Sequence, residues 1–287
     1  MKDVSPTDLK NNIPLAARHD GQPPTTVLVG DHVVGGSAIT IIAGPCTIES
    51  LEQLLDTAAC VKAAGAHMLR GGAYKPLTFP YRSAKVYEMR EAGLEILREV
   101  RRVHGLPVVT EVVDVRLVDV VAATTDVLQI GARSMQNFPL LEECARTGKP
   151  IILKRHFGAS LRDWLGAAEY ILYHDNPHVI LCERGVSATH THHPAARFVG
   201  DIQVIPAARE ITHLPIIFDP SHATFRREYV PAMSRAAVAA GADGLLIEVH
   251  PNPTEAAIDP LQALGFDAFV GLMELLRELA PIVGRQL

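Results

Sequence analysis

His67-Met68-Leu69-Arg70-Gly71-Gly72-Ala73-Tyr74-Lys75-Pro76 starts as the end of a buried strand and finishes as a charged, glycine-rich turn. Arg70 sets a fixed positive charge at the strand tip. Gly71 and Gly72 let the backbone turn sharply or approach a ligand closely. Lys75 adds a second cation, and Pro76 stiffens the exit. Two cations on such a turn suit a small, highly charged anion; an ordinary solvated loop is the competing reading.

Working outward, the same grammar recurs along the chain. Short apolar runs stand at Ile39–Ala43, His67–Leu69, Pro107–Thr110, Val127–Ile130, Ile151–Leu153, Val179–Leu181, Ile216–Phe218 and Leu245–Ile247. Helical periodicity fills the intervals at Leu51–Ala64, Ala84–Val103, Leu161–Tyr173, Val230–Ala240 and Phe266–Leu279. Runs that are apolar nearly throughout and alternate with helices are what a parallel sheet covered on both faces requires. A doubly wound open sheet is the other option, but eight such units in 287 residues favour an α/β (β/α)8 TIM barrel of about 250 residues plus an extension. Residues 1–25 read as a polar N-terminal arm, mobile or loosely docked. Residues 26–287 read as one catalytic barrel, opened by a short hairpin over Thr26–Val34 that turns at Gly30-Asp31 and lids one end.

Hydrophobic residues make up 48% of the chain, with few aromatics, as an α/β core built on Val, Ile, Leu and Ala requires. A net charge of -5 argues against nucleic acid as the main partner. Cys46, Cys60, Cys144 and Cys182 are widely spaced without a C-x-x-C pair, which reads as reduced thiols rather than a disulfide frame. No apolar run approaches a membrane span and no signal-peptide core opens the chain, so a soluble cytoplasmic protein without a membrane partner is expected.

In such barrels the C-terminal strand ends build the active site. Just past the runs lie Gly44-Pro45-Cys46, Arg70 with Lys75, Glu111, Gln129 with Gly131-Ala132-Arg133, Lys154 with Arg155, Glu183-Arg184, Asp219-Pro220-Ser221-His222, and Glu248 with His250. Arg70, Lys75, Arg133, Lys154 and Arg184 would repel one another across a shared mouth unless a highly charged anion sat among them. Guanidinium forks match phosphate and carboxylate oxygens, and lysine supplies a point charge. Pairing with Glu111 or Glu183 is expected to account for one or two of these cations. Cys46, His222, Glu248 and, further along, Asp259 form a mixed S/N/O set suited to a divalent ion of the Mn, Fe, Co or Zn class and poor for Ca or Mg. Cys46 as a buried apolar thiol and His222 as a metal-free general base remain the alternatives.

Ile42-Ala43-Gly44-Pro45-Cys46, Arg70 to Pro76, and Gln129-Ile130-Gly131-Ala132-Arg133 resemble the phosphoenolpyruvate-dependent 3-deoxy-ulosonate synthases. So do Leu153-Lys154-Arg155, Cys182-Glu183-Arg184-Gly185, Asp219 to His222 and Ile247-Glu248-Val249-His250-Pro251. The match is closest to the compact branch of 3-deoxy-D-arabino-heptulosonate-7-phosphate (DAHP) synthase, and it runs in order from about Val29 to the C-terminal helix. The resemblance implies that Arg133, Lys154 and Arg184 hold the phosphate of phosphoenolpyruvate, with Arg70 and Lys75 near its carboxylate and reacting carbons. It implies a metal on Cys46, His222, Glu248 and Asp259, and an aldehyde acceptor, erythrose 4-phosphate in DAHP synthase. Lys75 or a water on the metal would protonate the new alkoxide. By the same resemblance the chain assembles as a homo-oligomer, dimer or tetramer.

The acceptor end departs from the family. Lys75-Pro76 continues Leu77-Thr78-Phe79 where the family has Arg-Thr-Ser, so only Thr78 of that acceptor-phosphate run survives. His190-Thr191-His192-His193-Pro194 occupies an altered loop where Arg-Asn-Thr is usual, Ser134 replaces a common Asn, and Phe225 stands where Gly is usual. A different, unphosphorylated or more apolar aldehyde in a specialised pathway is one expectation. Replacement of the lost cation by Arg82, Arg226 or Arg227 is the other. A 3-deoxy-octulosonate 8-phosphate synthase-type enzyme shares donor and mechanism, but Lys75-Pro76 stands where that enzyme has Lys-Ala-Asn. A non-catalytic metabolite-binding barrel would have little use for the metal set.

Overall fold

A computed structural model describes residues 6–76, 88–189 and 197–287. Leu77, Thr78, Phe79, Arg82 and the His190–Pro194 run lie outside these residues. In chain order come α1 (Pro6–Asn12), β1 (Val27–Val29), β2 (His32–Val34), β3 (Thr40–Gly44), α2 (Leu51–Ala63), β4 (Met68–Arg70) and α3 (Glu91–His104). Then follow β5 (Val108–Val112), α4 (Val118–Ala122), β6 (Val127–Ile130), α5 (Phe138–Arg146), β7 (Ile151–Lys154), α6 (Leu161–Tyr173) and β8 (Val179–Glu183). A small antiparallel pair, β9 (Val186–Ser187) with β10 (Phe198–Val199), precedes α7 (Val204–Ile211) and β11 (Ile216–Phe218). The chain ends through α8 (Pro220–Thr224), α9 (Val230–Ala239), β12 (Gly244–Glu248) and α10 (Phe266–Ile282).

β3 to β8 pair in sequence order, β11 and β12 complete the ring, and β12 closes it onto β3 from Gly244↔Thr40 to Glu248↔Gly44. Each strand expected from the sequence takes its place in this closed parallel barrel. Successive side chains point to opposite faces of a strand, and the barrel sorts them accordingly. Ile42, Met68, Val109, Val127, Ile152, Ile180, Cys182, Ile217 and Leu246 fill the interior. Their neighbours, such as Ile41, Leu69, Val108, Leu153 and Leu181, join the larger core under the helices. Trp164 of α6 is fully buried there and donates its indole N–H to Leu153 O at 3.1 Å.

The β1–β2 hairpin turns where expected, with Val29 opposite His32. Val27, Val29 and Val34 join the interior cluster, so the hairpin plugs the N-terminal end of the barrel, opposite the charged strand ends. The segment before it is not the loosely docked arm expected. Leu9, Ile13, Ala16 and Ala17 are buried. Glu169 of α6 accepts the N–H groups of Leu15 and Ala16 at 2.9 and 2.8 Å, and Arg18 N–H and Thr25 N–H reach Ile211 O and His213 O. A few small apolar residues spaced along a polar stretch suffice to anchor it, and they are easily lost among the charges.

α3 begins at Glu91, just after Arg90, which sits at φ 53° and donates its N–H to Ala73 O at 2.8 Å. Residues 84–87 of the helix expected over Ala84–Val103 lie outside the described residues. The helices α4, α5, α7 and α8 carried no sequence expectation. At five to nine residues they are shorter than the window of about eleven residues over which an apolar repeat becomes legible.

Candidate active site

Strand alternation builds the site. Two residues beyond an interior apolar side chain, the next inward position lies at the C-terminal mouth. That step leads from Met68 to Arg70, Val109 to Glu111, Val127 to Gln129, Ile152 to Lys154, Cys182 to Arg184, Ile217 to Asp219 and Leu246 to Glu248. The mouth opens into a cavity of about 230 Å³ lined by Arg70, Lys75, Arg133, Lys154 and Arg184 among others. The five cations expected there are thus brought together. Gly131 keeps the ring open at one point, since a Cβ would fall 1.9 Å from Glu111 Oε1.

Acids neutralise more of these cations than expected. Arg70 Nη1 donates to Glu248 Oε1 at 2.7 Å, Lys154 Nζ to Asp219 Oδ2 at 2.5 Å, and Lys75 Nζ lies 3.6 Å from Glu111 Oε2. Burial works against the charge on Arg70, but Glu248 and Cys46 beside it raise its pKa above the usual guanidinium value. Burial alone would raise the Glu248 carboxyl; His222 and Arg70 outweigh it and hold it down at about 2. Gln262 supports Glu248 by donating to Oε2 at 2.8 Å. Arg133 donates to Pro76 O at 3.2 Å. Arg184 differs from all of these. Its Nη1 is buried with no hydrogen-bond partner among the described residues, its guanidinium lies 4.2 Å from the Phe198 ring centre, and burial pulls its pKa below the usual value. A buried donor without a protein partner costs about 1–3 kcal/mol, and more when charged.

The second cluster lies against the first. Ligand-capable atoms of Cys46, His222, Glu248 and Asp259 all fall within 4.8 Å of one another. The Asp-Pro-Ser-His run explains how His222 gets there. Asp219 caps α8, its Oδ1 accepting His222 N–H at 2.9 Å, while Pro220 opens the helix. One turn then turns the imidazole to the cavity, where Nδ1 lies 2.7 Å from Asp219 Oδ2 without hydrogen-bond geometry and Nε2 lies 3.4 Å from Glu248 Oε1. Cys46 Sγ is 3.5 Å from Asp259 Oδ2 and receives a hydrogen bond from Lys75 Nζ at 3.2 Å. Burial, reinforced by Glu248, pushes the thiol pKa up. Burial opposes the charge of Lys75, but the sulfur and Glu111 beside it raise its pKa. One thiol, one imidazole and two carboxylates at this spacing fit bonds of about 2.0–2.3 Å to a central divalent ion. Glu248 and Asp259, two acids gathered with the thiol and the imidazole, are what such an ion would relieve.

The remaining wall is aromatic. Phe157, Phe198 and Phe225 line the cavity with Arg197. Phe225 is the C-cap of α8 at φ 55°, a left-handed conformation that costs a residue with a Cβ roughly 1–2 kcal/mol. Arg226 and Arg227 do not replace the missing acceptor cation. Arg226 pairs with Glu228 and lies against Tyr229, and Arg227 donates to Pro260 O. Neither lines the cavity. Arg197, which does, carried no expectation because nothing in the sequence tells which loop arginine turns inward.

Lys154-Arg155 and Glu183-Arg184 divide by alternation. Arg155 and Glu183 face the helix layer and are absent from the mouth. Arg155 donates to Glu183 Oε2 at 3.0 Å, to Asp201 Oδ2 at 2.7 Å and to Ala159 O at 3.0 Å. His250 reaches Glu49 Oε1 at 3.1 Å, outside the metal cluster. The four cysteines are free thiols.

A closed parallel barrel with a cationic mouth beside a candidate metal cluster defines the class: an aldolase-type (β/α)8 enzyme. The model of the DAHP synthetase I family matches residues 17–285, and the chain belongs to that family. It is 42% identical over 270 residues to the phospho-2-dehydro-3-deoxyheptonate aldolase of Thermotoga maritima, covering 94% of this chain and 78% of that one. A crystal structure of that aldolase, a DAHP synthase, superposes with a TM-score of 0.88 over 95% of this chain and 78% of the other. A truncated form of the Thermotoga maritima 3-deoxy-D-arabino-heptulosonate 7-phosphate synthase gives 0.86 at 40% identity, over 96% and 99%. The chain is also 33% identical over 254 residues to the 2-dehydro-3-deoxyphosphooctonate aldolase of Methylococcus capsulatus, covering 83% and 88%.

Proposed function

We propose that the chain condenses phosphoenolpyruvate with an aldehyde, erythrose 4-phosphate or a variant acceptor, to give a DAHP-like 3-deoxy-2-ketoaldonic acid and phosphate. The orphaned Arg184 guanidinium in a ring of cations beside the Cys46 cluster carries this reading. Arg184, Lys154 and Arg133 hold the donor phosphate, and Arg70 and Lys75 take its carboxylate. These cations neutralise a donor that would otherwise be repelled by Glu111, Asp219 and Glu248, and they stabilise charge as it develops. Carbon 3 of the donor bonds to the aldehyde carbon while the aldehyde oxygen takes a proton. Lys75 Nζ, kept charged by its neighbours, gives that proton in this reading. Water adds at carbon 2 and returns one proton to Lys75; the C–O bond to phosphate then breaks, its electron pair leaves on the phosphate, and the second proton is lost as the 2-keto group forms. Cys46, His222, Glu248 and Asp259 would hold a divalent ion of the Mn, Fe, Co or Zn class. When bound, it supplies Lewis acidity toward the aldehyde oxygen.

The same reading takes residues 26–287 as the catalytic unit with 1–25 as its extension, and places a homo-oligomer, dimer or tetramer, in the cytoplasm. No helix among the described residues is long and apolar enough to cross a membrane. Thr78 is read as a remnant of the acceptor-phosphate run. The octulosonate-type reaction remains a second reading because relatives of that name match most of the chain, and Lys75-Pro76 weighs against it.

The deciding experiment loads the chain with Mn²⁺, supplies phosphoenolpyruvate with erythrose 4-phosphate, arabinose 5-phosphate or erythrose, and measures phosphate and keto-acid formation. Turnover is expected, with loss on chelation and a fall of about a hundredfold or more in Cys46→Ser. No phosphate release with any of the aldehydes would end the proposal.

A further inference from the structure

The aromatic wall holds a cation that the donor-side reading does not use. Arg197 is exposed, lines the same cavity as Lys75 and Asp259, and makes no ion pair among the described residues. Instead its guanidinium lies 4.8 Å from the ring centre of Phe225 and 5.3 Å from that of Phe198. Aromatic faces attract a cation and limit its orientations without satisfying its five N–H donors. Phe225 adopts its left-handed backbone at the exit of α8, where glycine would sit without strain, and its ring lines the cavity beneath the arginine. Phe198 carries both guanidiniums, Arg184 at 4.2 Å and Arg197 at 5.3 Å, and the two repel each other. Like charges gathered on one ring are relieved when oxyanions arrive at both.

We propose that Arg197, laid against Phe198 and Phe225, receives a terminal oxyanion on the acceptor aldehyde, and that Phe225 is its positioning residue. The inference rests on the condensation proposed above. It gives the acceptor a class: an aldehyde with a phosphate or carboxylate at its far end, rather than the unphosphorylated one considered from the sequence. The fork of Arg197 suits either anion, and the apolar ring beneath it excludes water from one side of the contact.

Steady-state kinetics on the metal-loaded full chain test this with three aldehydes: erythrose 4-phosphate, succinic semialdehyde and uncharged erythrose. Arg197→Gln is expected to raise KM for the preferred anionic aldehyde about tenfold or more, and to lower the anionic-to-neutral ratio of kcat/KM as much, with KM for phosphoenolpyruvate moving less than about threefold. Arg197→Lys should fall between, because a point charge replaces a fork. Phe225→Leu should raise the same acceptor KM by about three- to tenfold with little change in kcat, and Phe225→Tyr, which keeps the ring, should restore it. The larger loss, with erythrose 4-phosphate or with succinic semialdehyde, identifies phosphate or carboxylate as the anion recognised. An unchanged anionic-to-neutral ratio, or a donor KM that rises as much as the acceptor KM, would overturn the proposal. If the wild type turns over none of the three, nor arabinose 5-phosphate, the condensation reading fails, and the site is judged by binding alone. The two anionic aldehydes must then raise the melting temperature of the wild type and not of Arg197→Gln; equal behaviour of the two proteins would reject the site.

Discussion

Arg155 and Arg184 leave the same end of the barrel, both buried, and their surroundings could hardly differ more. Arg155 faces outward to the helices and is met by Glu183, Asp201 and the Ala159 carbonyl. Arg184 faces inward, lies on an aromatic ring and keeps a buried nitrogen without a partner among the described residues. A charge that the fold satisfies serves the fold; a charge left unsatisfied at a cavity serves what enters it. The difference is set by one step of strand alternation and not by residue type.

Substitution separates the two roles. Arg155→Met should be the most damaging to stability, because it leaves Glu183 and Asp201 uncompensated; a loss of about 3–5 kcal/mol is expected in urea unfolding. Arg184→Met should do the reverse, raising the melting temperature by roughly 2–5 °C as the orphan cation is removed. It should also raise KM for phosphoenolpyruvate by about a hundredfold. If Arg184→Met destabilised the chain as much as Arg155→Met, the contrast would collapse.

The plugged end extends the comparison with smaller effects. Val34 is fully buried between the hairpin and the interior side chains. Val34→Ala should lower unfolding free energy by about 1–3 kcal/mol while leaving the kinetic constants within twofold, since no charged group of the mouth touches it. Loss of donor affinity in this variant would show that the two ends are coupled.

The smallest effect concerns pH. His67 stacks on His32 at 3.8 Å, and its Nδ1 accepts Ile41 N–H at 3.0 Å. Burial, then the neighbouring His32, pulls its pKa from 6.5 down to about 4. The unfolded chain therefore binds a proton that the folded chain refuses, so this site loses stability as pH falls from 6.5 toward 4. His67→Asn keeps an acceptor at the Nδ1 position and should flatten the melting temperature between these pH values by a few degrees. An identical pH profile in the variant would remove His67 from the acid response.

The comparison also shows what could be read early. Short runs that are apolar nearly throughout mark the strands, because a strand buried on both faces admits little else, and the ionisable residues just past them mark the mouth. Cys46, His222 and Glu248 are legible from residue type and rim position, whereas Asp259, at no strand end, is joined to them by the family resemblance; the structure gathers ligand-capable atoms of all four within 4.8 Å. Pairing was harder to see. Lys154 with Asp219 and Arg70 with Glu248 join residues 65 and 178 apart, a closeness that only ring closure creates. The docked N-terminal segment was missed for the related reason that Ile13, Ala16 and Ala17 are few among polar neighbours until α6 and α7 supply their partners.

The amino-acid sequence by itself determined the barrel, the end at which chemistry is placed and the kinds of side chain gathered there, because alternation and helical periodicity are local properties of the chain. Only the tertiary structure decided which cation meets an acid and which meets an aromatic ring, that the hairpin fills the far end, and that Arg197 rests on Phe225 at the cavity wall. Those outcomes depend on distances between residues far apart in sequence, and local pattern carries no record of such distances.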